Sequence, residues 1–337
     1  MDFYVYDTDL TAVGIIDNYK SVIWTLRYND TGDFEMYIKS TRDILDMCKI
    51  GRYIVRKSDN TMMIIKSVVR NESVENGDYI TVTGVSIESI ISQRICWNMT
   101  LLEGRAEECI YLLINDNCID PTNADRIIPN LKLYPSKHLT AEIELNDYTG
   151  VNVLDAVKQL CDIAGYGFRI TFNGGNLLFE VYNGADHSKN QTVNPYIIFD
   201  GECLSETNYQ NNSTNYKNVA RIGGSGEGLN RVFASVIHGA ATGIDRFEMF
   251  VDNGSEIDTG ILLAAGRDAL QEYKSVKTFD GELSDYYAYG VNYSLGDIVQ
   301  IENDSRISAT ARVIEVIQSI DDSGIYTIPT FSEWEVN

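Results

Sequence analysis

The residues of this 337-residue chain best suited to chemistry are a glycine-rich hexapeptide, three histidines, six cysteines and a large excess of carboxylates. Gly223-Gly224-Ser225-Gly226-Glu227-Gly228 could cradle a phosphate, because successive backbone N–H groups bind anions. A nucleotide loop, however, continues into Lys-Ser/Thr or into a helix. Here Arg231-Val232-Phe233-Ala234-Ser235-Val236 follows and has strand character, so the loop is expected to connect two strands. His138, His187 and His238 lie far apart, without the His-Glu-x-x-His spacing that puts two imidazoles on one metal. Cys48, Cys96, Cys109, Cys118, Cys161 and Cys203 contain no Cys-x-x-Cys pair, and buried free thiols are expected. Cys161 falls on the inward face of a helix, away from the exposure a nucleophile needs. A Gly-x-Ser-x-Gly elbow is missing. Glu107-Glu108, Glu142 with Glu144, and Asp321-Asp322 read as solvated faces, although two carboxylates correctly separated would suffice for glycan cleavage. Asp252-Asn253-Gly254-Ser255-Glu256 lacks calcium-loop spacing and reads as a turn. The expectation is a chain with no catalytic, cofactor-binding or metal-binding residues, and not an enzyme.

Charge narrows the partners. With 49 acidic against 27 basic side chains the formal net charge is −22, which repels phosphate backbones and anionic headgroups. Stable nucleic-acid or membrane binding is therefore not expected, and solubility is the plainest role for the charge. The 21 tyrosines suit half-buried β-surfaces and protein interfaces. Met1-Asp2-Phe3-Tyr4-Val5-Tyr6 has no basic region ahead of an apolar core, and no apolar run reaches the roughly 18–20 residues that cross a bilayer. A reducing cytoplasm is the expected site of synthesis, so Asn98-Met99-Thr100 is a chance glycosylation match.

The positioning elements fall into three stretches, 1–94, 95–194 and 195–337. In the first, Val22–Tyr28, Phe34–Ile38, Tyr53–Lys57, Met62–Arg70 and Asp78–Val85 read as strands. The turns between them are Asn29-Asp30-Thr31-Gly32, Ser58-Asp59-Asn60 and Glu75-Asn76-Gly77-Asp78, with one short helix at Arg42–Cys48. In the second, Thr100 is expected to cap a helix with Glu103, its inward face Leu102, Ala106, Cys109, Ile110 and Leu113 and its stop Asn117 with Pro121. Asn152 caps another helix, striped by Val153, Leu154, Val157, Leu160, Cys161 and Ala164 and ended by Gly165. Tyr166–Phe172 and Leu177–Tyr182 flank the hairpin turn Asn173-Gly174-Gly175-Asn176. This stretch is expected to be an α+β insert with its own small core. In the third, Tyr196–Phe199, Asn218–Gly223, Arg231–His238, Asp297–Glu302 and Thr310–Ile320 read as strands, the last two flanking Asn303-Asp304. An embedded helix at about 259–273 turns Leu262, Ala265, Ala269 and Tyr273 inward. No sequence repeat between the two β-parts stands out. The fold class is β-rich α+β: two antiparallel β-barrel-like domains with an inserted α+β domain.

Three stretches resemble the tail-hub family of tailed phages, found also in prophages and phage-tail-like injection machines. The opening carries Phe3-Tyr4-Val5-Tyr6-Asp7, Gly14-Ile15-Ile16-Asp17, Gly32-Asp33-Phe34-Glu35 and Ile50-Gly51-Arg52-Tyr53-Ile54, with Met63-Ile64-Ile65 and Thr83-Gly84 beyond. In the middle, Asn218 to Gly228 ending in Arg231 is similar to the family's segment of asparagine, strand, glycine-rich loop and arginine. Near the end, Tyr293-Ser294-Leu295-Gly296-Asp297-Ile298-Val299 and Ala311-Arg312-Val313-Ile314-Glu315-Val316 resemble its closing strand pair. The resemblance implies a homotrimeric hub at a tail tip or baseplate, with six similar barrels around a DNA channel below a hexameric tube ring. It implies the tail tube, distal tail protein, spike or fibre and tape-measure protein as partners, with DNA only passing through. The implied location is the virion tail tip, after assembly in the bacterial host cytoplasm. Acidic side chains lining the channel would let DNA slide. The chain stops at Asn337, just after the closing barrel, so a bare hub is expected, with any peptidase, lysozyme or fibre module elsewhere. Ranked below this reading are a tail-tip carbohydrate- or receptor-binding β-module and then a glycan-cleaving tail enzyme.

Overall fold

Alternation of inward apolar and outward polar residues builds the strands, as in Asp33–Lys39, where Phe34, Met36 and Ile38 are buried and Glu35 and Lys39 exposed. The structure, a computed structural model, describes every residue except 74–76, 190, 201–202, 240, 284–285, 303–307, 333–334 and 337. The expected turn at Asn303-Asp304, and Glu75-Asn76 of the turn expected at Glu75-Asn76-Gly77-Asp78, lie outside the described residues.

The first β-module comprises Phe3–Tyr6, Ala12–Ile16, Ser21–Arg27, Asp33–Lys39, Tyr53–Arg56, Met62–Ser73 and Gly77–Ser86. Its core holds Phe3, Trp24, Phe34, Met36, Ile54, Met63, Ile65, Ile80 and Val82, with the Arg42–Met47 helix at its edge. Each such side chain buried contributes about 1.5–3 kcal/mol. The second β-module comprises Leu204–Asn212, Val276–Leu283, Ile298–Glu302, Ser308–Asp321 and Gly324–Phe331, around Phe199, Tyr293, Val299, Val313 and Phe331. Both modules belong to one 14-stranded sheet, because Ser308–Asp321 also pairs antiparallel with Ser21–Arg27.

The two modules repeat one plan, as the resemblance implies, although no sequence repeat between them stands out. In each, five strands run in the same chain order and pair antiparallel in the same spatial order: first, second, fifth, fourth, third. Partner chains correspond: Trp24–Phe34–Gly84–Ile65 in one, Tyr209–Phe279–Phe331–Val313 in the other. A bulge sits at the same place, between Ile65 and Ser67 and between Val313 and Glu315. Just before the third strand, Gly51 N donates to Ile65 O (2.9 Å) and Ile65 N to Arg52 O (2.9 Å). Gly296 N likewise donates to Val313 O (2.8 Å) and Val313 N to Asp297 O (2.9 Å). Both glycines have positive φ, 89° and 93°. The short matching segments Ile50-Gly51-Arg52-Tyr53-Ile54 and Leu295-Gly296-Asp297-Ile298-Val299 are the sequence trace of this repeat.

Between the modules lies the α+β insert. Leu101–Arg105 is a strand paired with Glu142–Asp147, so Thr100 caps no helix; the helix starts at Ala106 and runs to Ile114. Asn117 does not stop it, since a π-helical turn continues over Asn115–Ile119 and Asn117 Nδ2 donates to Leu113 O (3.0 Å). The second helix, Val153–Ala164, begins at the Asn152 cap and ends at left-handed Gly165, as the sequence indicates. Gly167–Asn173 and Asn176–Tyr182 form the expected hairpin, and Leu131–Leu133 adds a parallel third strand. The insert's core is shared rather than its own: Tyr53, Val55, Met62 and Ile64 of the first module pack into the same cluster as Leu113, Leu160 and Phe179. Within the second module, Val219–Gly223, Phe233–Ile237 and Glu248–Asp252 form a separate three-stranded sheet under helix Thr259–Glu272. That helix buries Leu262, Ala264, Gly266 and Leu270, while Tyr273 is exposed; Gly266 fits tightly against Ile222 and Val236 and thereby rotates the inward face from the expected one.

Candidate assembly site

The seam between the modules is seven residue pairs long, from Glu315 opposite Arg27 to Asp321 opposite Ser21. Charge reinforces it: Arg27 Nε donates to Glu315 Oε2 (2.6 Å) and its Nη1 to Asp33 Oδ2 (2.7 Å) and Thr31 O (2.8 Å). Burial pulls the Arg27 pKa down, but the two carboxylates outweigh it and raise it overall. Arg56, 1% exposed, pairs with Asp59, lies over the Trp24 ring at 5.3 Å and donates to Gln318 Oε1 (2.5 Å) across the seam.

Past the end of the seam, all three parts meet around Tyr28. Tyr28 N donates to Ile314 O (2.9 Å) of the second module. Its hydroxyl lies within hydrogen-bond distance of Gly165 O (3.1 Å) and Tyr182 O (3.2 Å) of the insert. Arg312 stacks on the Tyr28 ring at 5.0 Å and donates to Gly296 O (2.6 Å) and Asn183 Oδ1 (3.0 Å). Burial pushes the Tyr28 phenol up to about 12, against the opposing pull of Arg312. Only glycine leaves room here: a Cβ on Gly296 would lie 2.3 Å from Tyr28 Cε2, and one on Gly167 2.4 Å from the same ring. The arrangement is a mechanical joint, a buried aromatic pinned by hydrogen bonds from three directions.

The residues singled out from sequence take structural positions. The glycine-rich loop joins two antiparallel strands and turns carbonyls, rather than N–H groups, toward a cation: Arg231 Nε donates to Gly224 O (3.0 Å) and Nη2 to Gly223 O (3.1 Å). Arg231 also pairs with Asp252, and Ser225 N donates to Glu256 O (2.7 Å), so the calcium-like segment is a turn braced on this loop. Glu107 is buried, contrary to expectation; its carboxylate accepts from Lys137 N (2.6 Å) and Leu139 N (2.8 Å) and pins that loop, while Glu108 is exposed. Glu144, exposed, pairs with Arg267 of the embedded helix. All six cysteines are free and buried. Burial raises Cys48 and Cys96 to about 11 and Cys118 to about 12, and pushes Cys161 up strongly. His187 is buried, with Nδ1 2.8 Å from Pro195 O, while His138 and His238 are exposed. The structure brings none of the three histidines together, and the described residues contain no group of three or more His, Cys, Asp or Glu placed to hold a metal ion. A cleft of about 530 Å³ runs along the seam between Arg27, Asp59, Arg169, Tyr182 and Tyr289. Sequence reasoning missed Tyr28 and Arg312 as a pair, since 284 positions separate them.

Solved tail proteins share this fold. The prophage tail protein gp18 from Listeria monocytogenes EGD-e aligns over 99% of this chain and 94% of its own, at 11% identity and TM-score 0.57. The tail protein from Neisseria meningitidis MC58 aligns over 98% and 96%, at 12% and 0.59. The 43 kDa tail protein of prophage MuSo2 from Shewanella oneidensis aligns over 99% and 98%, at 10% and 0.61. The model of the siphovirus ReqiPepy6 Gp37-like proteins matches residues 2–331, and the chain belongs to that family. No curated protein matches it in sequence.

Proposed function

We propose that the chain is a structural hub of a phage tail tip or baseplate, a homotrimeric ring that joins the tail tube to the tip and carries the DNA channel. The observation that carries this reading is the seam, which fuses two like modules into one continuous sheet. The core lies under Val22, Trp24, Phe34 and Met36, whereas Ile23, Glu35 and Lys39 on the opposite side are exposed and Asp33 and Tyr37 are partly exposed. This face is proposed as the channel wall. Three units, 1–94, 95–194 and 195–337, are proposed as first module, insert and second module. Three copies then present six modules to a hexameric tube ring. The proposed partners are the tail tube and distal tail protein above, the spike or fibre below and the tape-measure protein within. The role needs no catalytic group, cofactor, metal or stable membrane contact. It places the chain in the virion tail tip after assembly in the host cytoplasm. Light scattering tests it: a mass near three times 37.8 kDa that grows in with concentration supports the hub. A monomer that binds host glycans favours a receptor-binding module instead, and cell-wall clearing abolished by one Glu or Asp change favours an enzyme.

A further inference from the structure

The cleft of about 530 Å³ along the seam is lined by all three parts of the chain, and its charges are matched but for one. Arg27 is paired with Asp33 and Glu315, and Arg169 and Lys137 share Glu180. Asp59 is paired with Arg56 and Asp30 with Lys158. Glu88, half-buried in the cleft wall, forms an ion pair with no lysine, arginine or histidine among the described residues. Counted with their partners, five cations meet six carboxylates, and the odd one is Glu88. Its Oε1 accepts from Ile170 N (2.8 Å) of the insert's hairpin. Burial raises the Glu88 pKa, against the pull of that amide, of the Ser86 hydroxyl and, more weakly, of Arg169.

We propose that the cleft binds a primary ammonium on a straight alkyl stem, with Glu88 as its charge partner. The chemistry of the walls selects this class. A divalent metal ion needs several ligands, and the described residues contain no group of three or more His, Cys, Asp or Glu placed to supply them. A guanidinium fork needs both oxygens of a carboxylate, and Oε1 is already taken by Ile170 N; a compact ammonium needs one. An anion finds each arginine of the cleft already neutralised. The rings agree: Tyr182 carries Arg169 at 4.7 Å and Lys137 at 5.6 Å, whereas Tyr289 of the same cleft carries no cation among the described residues and leaves its ring for one. Leu26, Met62 and Leu295 give the stem an apolar bed of the kind a lysine stem covers. The ammonium can come from a free polyamine or from a lysine side chain of another polypeptide. The net charge of −22 draws either one in.

The test is a titration of the full chain carrying 13C-methyl methionine, at about 0.15 M salt so that diffuse attraction is screened. Met1 and Met62 line the cleft, while Met99 is exposed away from it. 1,4-Diaminobutane and Nα-acetyl-lysine methylamide should shift the Met1 and Met62 methyl signals saturably and leave Met99 in place; 1,4-butanediol and acetate should shift none. Tighter binding of the diamine assigns the site to a free polyamine, and tighter binding of the lysine derivative assigns it to a polypeptide side chain; both orders support the ammonium site. Glu88→Gln keeps an oxygen for Ile170 N but loses the charge, and should weaken binding about tenfold or more. Glu142→Gln, an exposed change of equal charge, should alter it by less than about twofold. Unmoved Met1 and Met62 signals, shifts that butanediol or acetate reproduces, or equal weakening by the two variants overturns the proposal. If Glu88→Gln does not fold, the unaltered chain still decides by ammonium against diol.

Discussion

Gly296 and Gly51 occupy equivalent positions of the two modules, with φ of 93° and 89°, yet their surroundings differ. Nothing lies within 4 Å of a Cβ built on Gly51, while one on Gly296 meets Tyr28 Cε2 at 2.3 Å and Cδ2 at 2.7 Å. Replacing Gly51 by Ala thus costs only backbone strain, about 1–2 kcal/mol for an L-residue forced to positive φ. Gly296→Ala carries the same strain and must also displace a ring. That ring cannot swing freely, because its hydroxyl is held beside Gly165 O and Tyr182 O and Arg312 stacks on its face. Overpacking of this kind adds about 1–3 kcal/mol. Urea unfolding followed by tryptophan fluorescence should therefore show Gly296→Ala less stable than Gly51→Ala by about that amount. In a Tyr28→Leu background the excess should vanish, a coupling that a double-mutant cycle isolates. Equal destabilisation by the two glycine changes would refute the claim that Tyr28 is the pinned joint of the modules.

Other consequences concern charge and thiols. Arg312→Lys should cost about 1–3 kcal/mol in the same unfolding assay, because an ammonium cannot stack on Tyr28 while donating to Gly296 O and Asn183 Oδ1 together. Glu180, with its side chain 5% exposed, sits between Lys137 Nζ (2.8 Å) and Arg169; burial alone would raise its pKa, but the two cations outweigh it and lower it. Its stabilising contribution is then present above the unfolded carboxylate value, near 4.3, and lost as pH falls through the folded value. Glu180→Gln should lower stability by about 1–3 kcal/mol at pH 7 and by progressively less below pH 4, as read by thermal melts across pH. Native protein at pH 8 should react with iodoacetamide at less than one thiol per chain, and with all six in denaturant; mass spectrometry counts them.

Local signals were legible because they act over a few residues. Asn152 as cap, the apolar stripe to Cys161 and left-handed Gly165 define their helix outright, and Asn173 to Asn176 defines its hairpin. Leu102 through Leu113 misled because five residues at helical spacing also fit a strand followed by a helix; the deciding partner, Glu142–Asp147, lies about 40 positions away. Glu107 looked solvated because its acceptors' partners, the amides of Lys137 and Leu139, are equally remote. No repeat stands out in the residues themselves since two modules need only equal pairing and alternation, which many sequences satisfy; Gly51 and Gly296 persist because positive φ admits little else. The joint at Tyr28 carries no sequence signal of its own, being assembled from residues near 28, 165, 182, 296 and 312.

Electron cryomicroscopy of the assembled full-length chain tests the hub directly. The account predicts a closed ring of three copies showing six near-equivalent β-modules about a central opening, with the side of the sheet that carries Ile23, Glu35 and Lys39 lining it. A two-fold dimer, or a particle whose axis is plugged by the insert, would contradict it.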